Sequence, residues 1–259
     1  MALSSKLKDA YQNVNIIITP DKIILKNKQG VFEKPLTLTL NDIRKQIERI
    51  GFHKPYNSTT YDLYFSEAVE KSNLPYINFI YYLAFYENLK VPTLMEVTSK
   101  YLEMYCERVG NSKAGALYKV KPLFVENSIT FTSKEITGRI FRAYNSFHRE
   151  LELFFQLREF KDLYVEYDFQ KDLHGIDFTV LCNEKEFGIA SYVNTRRSTE
   201  WKNVKDTFRH DYSKLNMIDI IAVMSANKGK VNCYNRKGVY TYSPVFIKEK
   251  YQEILELSK

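Results

Sequence analysis

Three carboxylates stand where chemistry could be done. Glu150 and Glu152 lie on either edge of the apolar stripe in HRELELFF, and Asp177 opens the otherwise apolar run IDFTVLC. A carboxylate at the head of an apolar strand needs a partner if it is buried. A divalent cation is one such partner, since hard cations take oxygen ligands. His148 and His174 flank these acids, although a lone histidine is more often structural than liganding.

The second constellation is basic. The segment NTRRSTEWKNVKDTFRHDY, Asn194–Tyr212, holds Arg196, Arg197, Lys202, Lys205, Arg209 and His210, with Trp201 and Phe208 between them. At helical spacing Trp201, Val204 and Phe208 share one face, and Lys202, Lys205 and Arg209 the next. A phosphate backbone would find such a face useful. The plainer alternative is an aromatic stripe packed on a sheet beside a solvated basic one. His210 offers a general base, with a structural role the commoner outcome. No zinc spacing occurs: Cys106, Cys182 and Cys233 are far apart and outside any CxxC pattern.

The elements that must position these residues follow from periodicity. Thr132 and Glu135 form a capping box. It opens a long helix, near Glu135 to Phe160, with Ile136, Ile140, Tyr144, Phe147, Leu151 and Phe154 on one stripe. Strands are expected at Tyr164–Phe169, Gly175–Cys182 and Glu186–Val193, then a polar helix near Thr199–Leu215 and a strand at Met217–Met224. The order is αβββαβ. If Glu184 and Lys185 are the central residues of the second turn, Asp177 faces Tyr192, with Ala190 and Asn194 on the same face.

Upstream, Val14–Thr19 and Lys22–Leu25 form an expected hairpin about Pro20-Asp21. LTLTL within Pro35–Leu40 has the period of a strand, and Asn41 can cap a helix ending at Gly51. Opposite its Ile43/Ile47/Ile50 face that helix carries Arg44, Lys45 and Arg49. The aromatic helix Leu74–Asn88 reads as core. Thr93 and Glu96 form another capping box. The Gly/Ser-rich stretch Val109–Tyr118 reads as a linker or loop. The expected organisation is an N-terminal recognition or interaction module over 1–109, a linker and loop over 110–131, and an α/β domain over 132–259.

Composition bounds the setting. Hydrophobic residues at 44% support a real core and argue against global disorder. The formal net charge of +7 suits a nucleic-acid partner, as well as an ordinary basic protein. Three scattered cysteines, no apolar leader in MALSSKLKDAYQN and no run long enough to span a bilayer lead to the expectation of a cytoplasmic protein that does not enter the membrane.

On these residues, Glu135–Ala226 resembles the PD-(D/E)xK nuclease superfamily, which includes many restriction endonucleases. The likeness is carried by the αβββαβ order, the acidic helix HRELELFF and the Gly-Ile-Asp-Phe opening of the second strand. It implies a restriction-endonuclease-like core with a mixed sheet, joined to an N-terminal mixed, mainly helical module. Asp177 matches the family's first Asp, and Glu150 or Glu152 the helix glutamate; these would hold Mg²⁺ or Mn²⁺. The family's E-x-K is missing, because the third strand reads FGIASYVNTRRS. A lysine displaced to a neighbouring element would nominate Arg197, Lys202 or Lys205. The implied activity is Mg²⁺-dependent endonucleolytic cleavage of DNA, of restriction or mobile-element type, with a homodimer expected because double-strand cutting uses two active sites. The alternative is a nuclease fold that has lost its chemistry and binds DNA or protein. RNA cleavage is a third reading, favoured only by the 20 tyrosines.

Overall fold

The structure is a computed structural model that describes residues 11–51, 74–113, 115–123, 126–194 and 215–259. The protein is mixed α/β, and its contacts divide it into two units. Met1–Gln12 with Phe52–Phe147 makes one unit, and Asn13–Gly51 with His148–Lys259 makes the other.

The first unit is built on aromatic packing. Helix α2 (Ile77–Asn88) is buried over Ile77–Tyr86. Its Tyr81 ring meets Phe147 at 5.1 Å, and the Tyr144 hydroxyl donates to the Pro92 carbonyl at 2.6 Å. The aromatic stripe is core, as its periodicity suggested. Helix α3 (Leu94–Tyr105) starts from the Thr93/Glu96 capping box. The stretch read as a linker is instead a hairpin. Strand β4 (Cys106–Ser112) pairs with β5 (Gly115–Val120), with a register shift between Arg108 and Gly110, and β6 (Ile129–Thr132) completes three antiparallel strands. Gly115, at φ +134°, supplies a conformation that a side chain disfavours at the turn.

The second unit carries a seven-stranded sheet in the order β10-β9-β8-β7-β1-β2-β3. The strands are β1 (Asn15–Ile18), β2 (Lys22–Asn27), β3 (Gly30–Pro35), β7 (Tyr164–Asp168), β8 (Phe178–Cys182), β9 (Lys185–Val193) and β10 (Asn216–Ala222). The sheet is mixed, because β9 and β10 run parallel while every other pair is antiparallel. The expected N-terminal hairpin therefore joins the C-terminal strands, with Ile17 opposite Asp168 and Ile18 opposite Tyr167.

LTLTL does not form a strand. Thr39, not Asn41, caps helix α1 (Leu40–Ile50): its side chain accepts the Asp42 N–H while the Asp42 carboxylate takes the Thr39 N–H. The Leu36 and Leu38 carbonyls are bound by the Arg158 guanidinium, so this segment spends its polar groups on a helix end. Helix α4 (Ser133–Arg158) begins at the Thr132/Glu135 capping box. A hairpin of β11 (Cys233–Arg236) and β12 (Val239–Tyr242) and helix α6 (Pro244–Leu257) close the chain. The proposed polar helix over 199–215 falls almost wholly outside the described residues.

Among the described residues no helix is long and apolar enough to cross a membrane.

Candidate functional site

The geometry of β8 and β9 fixes what faces Asp177. Asn183 and Glu184 have φ values of 47° and 65°. Two consecutive left-handed residues make the tight turn whose twist suits a hairpin. The turn therefore centres on Asn183-Glu184, not on Glu184-Lys185, and Cys182 pairs with Lys185. The register moves by two residues: Phe178 lies opposite Ile189, so Asp177 comes opposite Ala190 rather than Tyr192. The side of β9 facing Asp177 thus carries Gly188, Ala190 and Tyr192. A Cβ on Gly188 would run into the Met217 sulfur, so the glycine leaves room for the Met217 side chain.

Asp177 is 5% exposed. Its N–H donates to the Ile189 carbonyl at 2.9 Å, and its Oδ2 accepts the Ser191 N–H at 2.6 Å. The Ser191 hydroxyl lies 3.0 Å from the Tyr242 hydroxyl, which donates to the Ile220 carbonyl at 2.7 Å. A phenol has one proton, so Ser191 is the donor to Tyr242. This chain ties β8, β9, β10 and β12 together behind Asp177. Tyr242 was not singled out in the sequence, where it reads as an ordinary strand residue of VYTY.

Helix α4 supplies the other acids, and the structure separates them. Glu152 is 0% exposed and fully engaged. Arg44 Nε donates to its Oε1 at 2.8 Å, Arg236 Nε to its Oε2 at 3.1 Å, and Gln156 Nε2 to Oε1 at 3.2 Å. Arg236 also pairs with Glu48 at 2.8 Å. Arg44, on the α1 face opposite Ile43, Ile47 and Ile50, is thus a counter-ion of a buried acid. A carboxylate so occupied does not fit a metal-ligand role. Glu150 is half-buried and close enough to the Tyr242 hydroxyl to raise its pKa.

Burial dominates the Tyr242 shift, which is upward, while the Arg149 charge and the Ser191 hydrogen bond oppose it. Burial likewise pushes the Cys233 thiol up to about 11, again against Arg149. Desolvation alone lowers the His148 pKa to about 3, so this imidazole is neutral near pH 7 and adds no charge. His174 is buried beside the α5 turn (Phe169–Asp172), with its backbone N–H donating to the Lys171 carbonyl.

Among the described residues no group of three or more His, Cys, Asp or Glu is arranged to hold a metal ion. Two carboxylates suffice for Mg²⁺ when waters and substrate phosphate complete the octahedron. Arg196, Arg197, Lys202, Lys205, Arg209 and His210 lie outside the described residues.

Comparison with protein-family models, with curated proteins and with solved structures finds no match to this chain.

Proposed function

We propose that the chain is a Mg²⁺- or Mn²⁺-dependent endodeoxyribonuclease of restriction or mobile-element type, with a restriction-endonuclease-like αβββαβ core. The observation that carries this reading is Asp177, a buried carboxylate at the head of a central strand of a mixed sheet. Its neighbourhood, through Ser191 and Tyr242, is shared with α4, which bears Glu150. Asp177 and Glu150 would hold the cation, which when bound polarises a phosphate and activates a water. Arg197, Lys202 and Lys205 would contact the scissile phosphate, and Arg196, Arg209 and His210 the neighbouring backbone. A homodimer would cut both strands. The three free cysteines, Cys106, Cys182 and Cys233, support a cytoplasmic setting.

A second reading is a nuclease fold without chemistry that binds DNA or protein. It is favoured by Ala190 and Tyr192, which occupy β9 across from Asp177 where a second carboxylate and a lysine would be needed.

Incubation of plasmid with wild type and with Asp177→Ala, in Mg²⁺ or Mn²⁺, decides between them. The enzyme reading expects nicking or linearisation by wild type and background levels with Asp177→Ala. Cleavage that survives the substitution rejects the site, and salt-dependent DNA binding without cleavage selects the second reading.

A further inference from the structure

We propose that Arg149 is an anion-binding residue that takes a phosphate oxyanion of a polynucleotide beside Asp177; this rests on the nuclease-like reading of that site and deepens it.

Arg149 is 3% exposed, and its Nε is enclosed without a hydrogen-bond partner. Among the described residues its guanidinium has no hydrogen bond or ion pair. An ionised group held in this way is costly. The acid that shares its helix face does not relieve it. Glu152, one turn further along the same face of α4, is occupied by Arg44, Arg236 and Gln156.

Residues 149, 152 and 156 recur at three and four, so they share a face. Gln156 on that face donates to the Tyr242 carbonyl at 3.0 Å, which sets the face over β12. The Arg149 charge is felt at both the Tyr242 hydroxyl and the Cys233 thiol, which belong to paired residues of β12 and β11. Tyr242 is bonded to Ser191, and Ser191 to Asp177. Arg149 therefore lies on the face of α4 that Gln156 fastens to β12, and hydrogen bonds lead from β12 through Ser191 to Asp177.

Chemistry selects the ligand. The guanidinium fork matches two oxygens of a phosphate. The β9 positions facing Asp177 carry no cation. A cation delivered from α4 meets that need, next to the carboxylates that would hold the metal.

The test is thermal melting without divalent cations, in EDTA, for wild type, Arg149→Met, Arg149→Lys and Asp177→Asn. Each is melted in chloride, in inorganic phosphate at matched ionic strength, and with a short DNA duplex. Phosphate should raise the wild-type Tm, because a ligand bound only by the folded state stabilises it. Asp177→Asn should retain the rise. Arg149→Met should weaken the phosphate Kd by about tenfold or more, and Arg149→Lys by less. In chloride, Arg149→Met should melt no lower than wild type, since it removes an uncompensated charge. No phosphate shift in wild type, or an equal shift in Arg149→Met, overturns the proposal. If Arg149→Met does not fold, an Arg149→Lys shift equal to wild type in both phosphate and duplex overturns the fork assignment. A duplex shift that depends on Arg149 supports the polynucleotide source, and a phosphate shift without one assigns the site to free phosphate and overturns that source. A preserved phosphate shift with no plasmid cleavage would reject the nuclease reading while the anion site stands.

Discussion

Glu152 and Arg149 are buried on the same face of one helix, a turn apart, yet they meet opposite surroundings. Glu152 has two guanidiniums and an amide on its two oxygens. Arg149 has no such partner among the described residues. The first arrangement is closed: it fastens α4 to α1 through Arg44 and to the β11–β12 hairpin through Arg236. The second is open, because the Arg149 Nε is enclosed without a hydrogen-bond partner. Burial alone does not tell a structural charge from a functional one. What distinguishes them is whether the fold supplies the counter-charge.

The largest expected effect comes from breaking the closed end. Glu152→Gln keeps the shape but leaves two guanidiniums facing a neutral amide, and should lower folding stability by about 3–5 kcal/mol. Urea unfolding measures it, and a loss near zero would dissolve the contrast with Arg149. A smaller effect comes from His148, the buried neighbour of Arg149 in the sequence. The folded pKa of His148 is lowered to about 3 from an ordinary 6.5. Below pH 6.5 the unfolded chain binds the proton and the folded chain does not. The stability is therefore fully present above pH 6.5 and is lost as pH falls toward 3. Between pH 6.5 and 5.5 the loss should be about 1 kcal/mol, and His148→Gln should flatten that slope. A His148 imidazole that protonates near pH 6.5 in the folded protein by NMR would contradict it.

Much of the second unit was legible because local rules agree there. The Thr132/Glu135 capping box, the period of α4 and the apolar runs of β7 to β10 each name their element within a few residues. LTLTL misled because Thr39 with Asp42 offered a helix start, which outcompeted a strand period of only five residues. VGNSKAGALY misled because its small residues tolerate the bulge and positive φ of a hairpin as readily as a loop. The hairpin register was off by two because Asn183 and Glu184, neither a glycine, adopt left-handed conformations.

For the candidate site, Asp177 and the acidic helix were visible, but the division of surroundings between Glu150 and Glu152 was not. That division depends on Arg44 and Arg236, which are distant in sequence. The signal available for Arg149 was a polar stripe at 149, 152 and 156 set among Leu151, Leu153, Phe154, Phe155 and Leu157, which drew less notice than the acids beside it.

The most direct test of the two-ended account is anomalous diffraction from crystals soaked in Mn²⁺. The account predicts a manganese peak on Asp177, shared with Glu150, and none on Glu152. A peak on Glu152, or manganese bound elsewhere with Asp177 bare, would contradict it.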